Sequence, residues 1–436
     1  MTDSVNIREL VLGLLLQITR DGEYSHIAIA AVLNKYQYLD KKERAFITRV
    51  TEGTLEHQIE LDYIINQISN TKVNKMKPVI RCIIRSSVYE LKYMDSIPAS
   101  ATCNEAVKLV KKKGFQNLTG FVNGVLRNIS RNLEQIEYPK KEDNLIYSLS
   151  VQYSIPEWMV QQWLQTYDES EVEQMLASFL TEAPISIRTN LNCISPEELK
   201  QELEQEGLEV HQNEEIPYAF FITGGLDYLN SLQSFQKGHF YVQNISSMKV
   251  AETAKPQEGD YVIDVCAAPG GKSIHIAEKL HGTGMIDARD LTEYKVNLIE
   301  QNMARCGITN MKARCQDARI PDTDSIEKAD IVIADLPCSG LGVMRRKKDI
   351  RYKMTPEKLM DLVSLQREIL DTVQGYVKPG GKLIYSTCTI SQEENQKNVE
   401  WFLKQHPEYT CEFMEQILPL DQKSDGFFLA KMMKQP

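Results

Sequence analysis

From about residue 251 to the C-terminus, apolar runs of strand length alternate with amphipathic helical stretches. "YVIDVC" reads as a strand and "KSIHIAEKL" as a helix. "TGMIDARD" is followed by the helical "TEYKVNLIEQNMARCG". "MKARCQD" and "ADIVIADLP" are further strands, and a long helix is predicted over Pro356 to Val377. "GKLIYSTCT" is a strand. "SQEENQKNVEWFLKQHP" is a helix with Ser391 as N-cap and Glu394 three residues on, and "GFFLAKMMK" is a last strand. That alternation predicts a largely parallel, doubly wound sheet. Such sheets bind ligands beyond the carboxyl ends of their strands.

Two of these strand ends carry cysteine. "ADLPCSGLG" (334–342) sets Asp335 and Cys338 on either side of Pro337, and "KLIYSTCTIS" (382–391) presents Cys388. A lone cysteine is usually a core residue, but two at strand ends suggest paired chemistry. The nine cysteines are odd in number, irregularly spaced and without a C-x-x-C pair. That argues against a disulfide framework and a structural zinc site, and no metal is expected.

A third strand end carries "DVCAAPGGKS" from Asp264. "GGKS" is shared with the end of a P-loop, but a P-loop needs glycine five residues before Gly271, where Cys266 stands. The competing reading is an S-adenosylmethionine loop. Small residues Ala267, Ala268, Gly270 and Gly271 allow close backbone approach, and the next helix offers its N-terminal N–H groups. Asp290 follows Gly271 at about the distance where a carboxylate holds ribose hydroxyls, and Asp287 competes for that role by spacing. Asp317 ends the next strand and suits the adenine amino group.

The regions upstream differ. Residues 1–140 are helical, with one-faced stripes such as Leu10, Val11, Leu14, Leu15, Ile18 and Ile80, Ile83, Ile84, Val88, Leu91, so a small bundle is expected. Residues 141–250 read as a small α+β module. A helix follows Pro156, "PISIRTN", "YAFFIT" and "HFYVQN" are strands, and Ser195, Pro196 and Glu198 start a helix that Gly207 ends. Residues 251–436 form the third domain, which suits a chain of 436 residues. No apolar run reaches the ~18 residues of a membrane span, and no signal-peptide cleavage pattern follows the first one. A cytoplasmic monomer is expected. Net charge is −10, so nucleic-acid contact must come from local patches. "RRKKDIRYK" (345–353) is one, and Lys111–Lys113 with Arg127 and Arg131 is another. Solvated surface is the plain alternative for each.

"EAVKLVKKKG" followed by "FVNGVLRNI" is similar to the end of NusB-like RNA-binding domains. "CAAPGGK", "DLPCSGLG" and "YSTCT", in this order, resemble the RNA cytosine-C5 methyltransferases. With the NusB-like front end, "GHFYVQN" and "DGFFLAKM", nearly the whole chain resembles the RsmB/Sun (Fmu) type, which methylates 16S ribosomal RNA. The resemblance implies a NusB-like bundle, a small α+β module and a Rossmann-like methyltransferase core. It implies S-adenosyl-L-methionine as cofactor, held by Cys266, Ala267, Ala268, Pro269, Gly270, Gly271, Lys272, Asp290, Asp317 and Asp335. Spacing does not assign the two cysteines. The family pattern makes Cys388 the nucleophile and Cys338 the group that assists release, with Asp335 and Lys272 helping. A helix starting at 391 would favour a thiolate at Cys388. Arg345, Arg346, Lys347, Lys348 and Arg351 would meet RNA phosphates. Leu336 and Arg289 depart from the family pattern. Alternatives are a cytosine in transfer RNA or elsewhere in ribosomal RNA, and a non-catalytic RNA-binding factor.

Overall fold

The computed structural model describes residues 5–226, 228–421 and 423–436. The chain divides into two compact units, one of residues 1–180 with 344–353, the other of 181–343 with 354–436. Among the described residues no helix is long and apolar enough to cross a membrane.

The first unit is helical. Its helices Ile7–Thr19 and Pro78–Tyr93 bury the faces read from the sequence: Val11, Leu14, Leu15 and Ile18 on one, Ile80, Ile83, Ile84 and Val88 on the other. Helices continue past residue 140, at Leu145–Tyr153, Glu157–Leu164 and Glu169–Ser178. In "FVNGVLRNI", Val122, Val125, Leu126 and Ile129 are buried while Gly124 faces open space, so the glycine serves no close helix contact. Of the second basic zone, Lys112 and Lys113 share the carboxylate of Glu9.

Glu60 organises one end of this unit. Its side chain accepts from Lys92 Nζ at 2.6 Å, Tyr138 Oη at 2.8 Å and the Tyr93 hydroxyl, and pairs with His57 Nδ1 at 3.0 Å. Burial alone would raise its pKa, but the bonds from His57, Lys92 and Tyr93 outweigh burial and hold it at about 2. A depressed carboxylate stabilises the fold above its ordinary range and loses that contribution as pH falls through the folded value. Glu60→Gln should therefore lower stability near pH 7 by up to about 3 kcal/mol. The gap to the wild type should close as pH falls from 4.5 towards 2, which chemical denaturation at several pH values measures.

The segment 344–353 packs within this helical unit, which corrects the reading of it as a free basic patch. Arg351 is fully buried, its Nη1 facing the carbonyls of Glu56 at 3.2 Å and Ser154 at 3.4 Å. Lys348 pairs with Glu56, and Asp349 accepts from Ser25 Oγ at 2.5 Å and Ser25 N at 3.1 Å. Arg345 is only 3% exposed. Arg345, Lys348 and Arg351 are thus buried or partnered within the unit. Arg346 and Lys347 remain exposed.

The second unit holds two sheets. The first has strands β1 (Ile185–Thr189), β2 (Glu209–Gln212), β3 (Ala219–Gly224) and β4 (Phe240–Val242), in the antiparallel order β2-β3-β1-β4. Helices Pro196–Gln205 and Gln233–Gln236 make the connections. The βαββαβ path is ferredoxin-like. The capping box forms as read: Ser195 Oγ accepts from Glu198 N at 3.2 Å, and Glu198 Oε2 accepts from Ser195 N at 3.0 Å.

The second sheet has seven strands: β5 (Tyr261–Asp264), β6 (Met285–Asp290), β7 (Met311–Cys315), β8 (Ala329–Asp335), β9 (Val377–Thr387), β10 (Tyr409–Ile417) and β11 (Phe427–Lys434). Their order is β10-β11-β9-β8-β5-β6-β7, with β5 to β9 parallel and β11 antiparallel to both neighbours. Val262, Ile263, Ile331, Val332, Ile333, Leu383 and Ile384 fill the two faces. The helix from Pro356 ends at Val373, because a short 3-10 turn leads into β9. The last helix runs Gln396–Gln405 with Asn395 as its N-cap, not from Ser391. Glu394 turns inward instead of capping, so no helix start lies at Cys388. The strand order reverses between β5 and β8, and the ends of these strands form the crevice of a doubly wound sheet.

Candidate active site

The site grows from the register of β8 and β9. Asp335 is paired with Ser386, and Leu336 N donates to Ser386 O at 3.1 Å. Because the strands are parallel, both chains leave the sheet on the same side. Cys338 lies three residues beyond that pair and Cys388 two, and their sulfurs end 3.3 Å apart. Both residues are partly exposed.

Asp335 is fixed from two directions: Lys272 Nζ donates to Oδ2 at 2.6 Å and Ser386 Oγ to Oδ1 at 2.7 Å. Burial would lower the Lys272 pKa, but the charge and hydrogen bond of Asp335 raise it further than burial lowers it, with Cys388 and Asp264 adding to the rise. Lys272 therefore stays an ammonium. The Cys338 thiol is pushed well above its ordinary range by its bond to Cys388, by burial and by the Cys388 charge.

The loop after β5 forms the neighbouring wall. Gly270 adopts φ +105°, left-handed backbone that suits glycine, and caps the helix Gly271–Lys279. Asp290 is 3% exposed; its Oδ2 accepts from Ala268 N at 3.0 Å and its Oδ1 from Lys295 Nζ at 2.9 Å. It therefore ties the loop to the end of β6. Asp287 is fully buried and paired with Arg289 and Arg314, which removes it as a ligand-binding acid. Arg289, the departure from the family pattern, is its counterion. Asp317 stands at the end of β7 in a pair with Arg319 at 2.6 Å.

A cleft lined by Tyr241 to Asn244, Ser247, Asp264, Cys266 to Pro269, Gly271, Lys272 and Asp335 joins these parts. Asp264 accepts from Ser273 Oγ at 2.5 Å, and burial raises its pKa to about 7. Sequence reasoning missed Gln243. Its amide nitrogen and oxygen are buried with no partner among the described residues, which is costly unless a ligand supplies one. Its only signal was its place at the end of "HFYVQ". Ser386 was also missed, although the paired strand ends would have located it.

Gly342 locks the Cys388 strand end. Its N–H donates to Cys388 O at 3.1 Å, and its carbonyl accepts from Gly426 N at 2.9 Å. A Cβ there would lie 2.1 Å from Gly426 O and 2.9 Å from Cys388 O, both backbone atoms. Gly342→Ala should cost about 2–3 kcal/mol by thermal or denaturant unfolding, the range of forced overpacking.

Three family models match successive parts of the chain: the NusB family over residues 5–131, the Methyltr_RsmF/B-like ferredoxin-like domain over 155–228, and the 16S rRNA methyltransferase RsmB/F over 251–433. The probable ribosomal RNA small subunit methyltransferase B of Bacillus subtilis is 33% identical, covering 98% of this chain and 99% of the relative. The ribosomal RNA small subunit methyltransferase B of Proteus mirabilis is 29% identical over all of both chains. Among solved structures, PH0851 superposes with a TM-score of 0.82 at 26% identity, covering 99% of each chain. The chain belongs to the family of small-subunit ribosomal RNA methyltransferase B.

Proposed function

We propose that the protein methylates C5 of a cytosine in 16S ribosomal RNA through a transient bond between Cys388 Sγ and C6 of the base. The observation that carries this reading is the pair of sulfurs 3.3 Å apart beside the Lys272–Asp335 pair. C5 of cytosine is a weak nucleophile. Addition of the Cys388 thiolate to C6 makes C5 an enamine carbon, so one difficult step becomes two easier ones. S-adenosyl-L-methionine supplies, when bound, a methyl group on a sulfonium that C5 can attack. The C5 proton of the adduct then passes to a base, water or the Cys338 sulfur once Cys388 is bonded to C6; the C–H electrons re-form the C5–C6 double bond, and Cys388 leaves as thiolate. Cys338, next to Cys388, is suited to assist that elimination. Asp335 would accept from the protonated N3 or from the exocyclic amine of the base, and a protonated N3 raises electrophilicity at C6.

The cleft suits the cofactor in the chemistry of its walls: small residues over 267–271, the helix N-terminus after Gly270 and the unpartnered Gln243 amide, with the acids Asp290 and Asp317 at the ends of the next two strands. Asp290 takes the ribose side, since Asp287 is closed off by its arginines. The target base must be unpaired or flipped out. Arg346 and Lys347 are the exposed cations of their run, and phosphate contact is assigned to that face. The 16S target rests on the family and its named relatives. Bisulfite mapping of ribosomal and transfer RNA, with and without the gene, tests it. Loss of one 5-methylcytosine in 16S RNA is expected. Loss only in transfer RNA would move the substrate, and no loss anywhere would end the proposal.

A further inference from the structure

Behind the two sulfurs lies a buried polar knot that the reaction above does not use. Glu394 is fully buried in the turn between β9 and the last helix. Its Oε1 accepts from Ser339 N at 2.8 Å and Gln366 Nε2 at 3.1 Å, and its Oε2 from Ser339 Oγ at 2.5 Å. Ser339 Oγ is also 2.7 Å from Thr389 Oγ1, and Gln366 Nε2 donates to Pro337 O at 2.9 Å. Next along the chain, Asn395 accepts from Thr387 Oγ1 at 2.6 Å and donates to Thr389 O at 3.0 Å. The backbone carbonyl of Glu394 takes the Tyr385 hydroxyl and Asn398 Nδ2.

These bonds share one pattern. Pro337 and Ser339 flank Cys338; Thr387 and Thr389 flank Cys388. All four flanking residues are tied to the Glu394–Asn395 turn or to Gln366 beside it. Burying a carboxylate is expensive unless donors surround it, and a fully satisfied buried network fixes one geometry. A turn that only had to close could do so with apolar packing.

We propose that Glu394 is a positioning residue that holds the Cys338 and Cys388 turns in register, so that two sulfurs on separate strands act on one base. The inference rests on the roles given above to the two cysteines. Burial raises the Glu394 pKa, a cost that the surrounding donors offset in part.

The test uses the full-length protein with Glu394→Ala, Glu394→Gln and Ser339→Ala. Three quantities are read: single-turnover methyl transfer, affinity for S-adenosylmethionine by calorimetry, and the rate at which diamide links Cys338 to Cys388, by mass spectrometry. The last reports sulfur registration without RNA or catalysis. For Glu394→Ala, methyl transfer should fall ~10²-fold and disulfide formation ~10-fold, with cofactor affinity within ~2-fold. Glu394→Gln keeps an oxygen for the Ser339 N–H and can exchange a hydrogen bond with its hydroxyl, so it should restore both rates to within ~3-fold of wild type. An unchanged disulfide rate in folded Glu394→Ala overturns the proposal. So does Glu394→Gln as impaired as alanine, since charge and not bracing would then be at work. Should Glu394→Ala not fold, Ser339→Ala decides: it should slow both rates several-fold, and no change in either rejects the idea. If the cysteine roles fail instead, methyl transfer loses its meaning here, but the disulfide rate still judges the brace.

Discussion

Cys338→Ala should accumulate a covalent enzyme–RNA complex that survives denaturing electrophoresis, whereas Cys388→Ala should form none and lose methyl transfer by at least ~10³-fold. The asymmetry follows from the division of labour. Without Cys388 no sulfur reaches C6, so C5 is never activated. Without Cys338 the bond still forms and the methyl group still moves, but release is slow. The electrostatics of the pair point the same way. The Cys338 thiol is pushed up by its bond to the other sulfur, by burial and by the Cys388 charge, which suits it less to the role of attacking thiolate. Only the thiolate is nucleophilic. Trapping by the Cys388 variant and not by the Cys338 variant would exchange the roles.

Asp335→Ala should be nearly as damaging, and in two measurable ways. Activity should fall ~10³-fold, because the base loses the group that polarises it. Stability should fall as well, by about 2–3 kcal/mol, since a partly buried Lys272 ammonium is left without its counterion. Asp335→Asn separates the effects. It keeps an oxygen for Lys272 and an amide N–H that can donate to Ser386 Oγ but no charge, so the hydrogen-bonded part of the stability should return while activity does not. Recovery of activity in Asp335→Asn would show that the carboxylate is needed for architecture and not for chemistry. Radiolabelled methyl transfer and a denaturant melt on the same preparations read both quantities.

The parts of this site that could be read from the sequence are those set by strand ends. Hydrophobic runs fix where β5, β6, β7, β8 and β9 stop, so the loop at 266–272, Asp290, Asp317, Asp335 and the two cysteines fell at one edge of the sheet. The edge strands β2 and β10 escaped notice because they bury little: only Val210 in β2 and Tyr409 in β10 are fully buried. An edge strand needs no apolar alternation. Glu394 matched a capping pattern three residues after Ser391, and local spacing cannot reveal that a serine from another loop will meet it. The basic run 345–353 misled for the same reason. Its partners, the Glu56 carboxylate, the Ser25 hydroxyl and the Ser154 carbonyl, lie far away in the sequence.

That strip has a consequence for how the molecule could be divided or recombined. Its contacts belong to the helical front, yet it is encoded between the Cys338 turn and the helix beginning at Pro356. A truncation that removes residues 1–180 would leave Asp349 without Ser25, Lys348 without Glu56 and Arg351 without its carbonyls, close in sequence to Cys338. A single crossover that imports a foreign front end would do the same. Swapping modules in this family therefore takes two coordinated exchanges, and a homologous front end should be grafted together with its own copy of the strip.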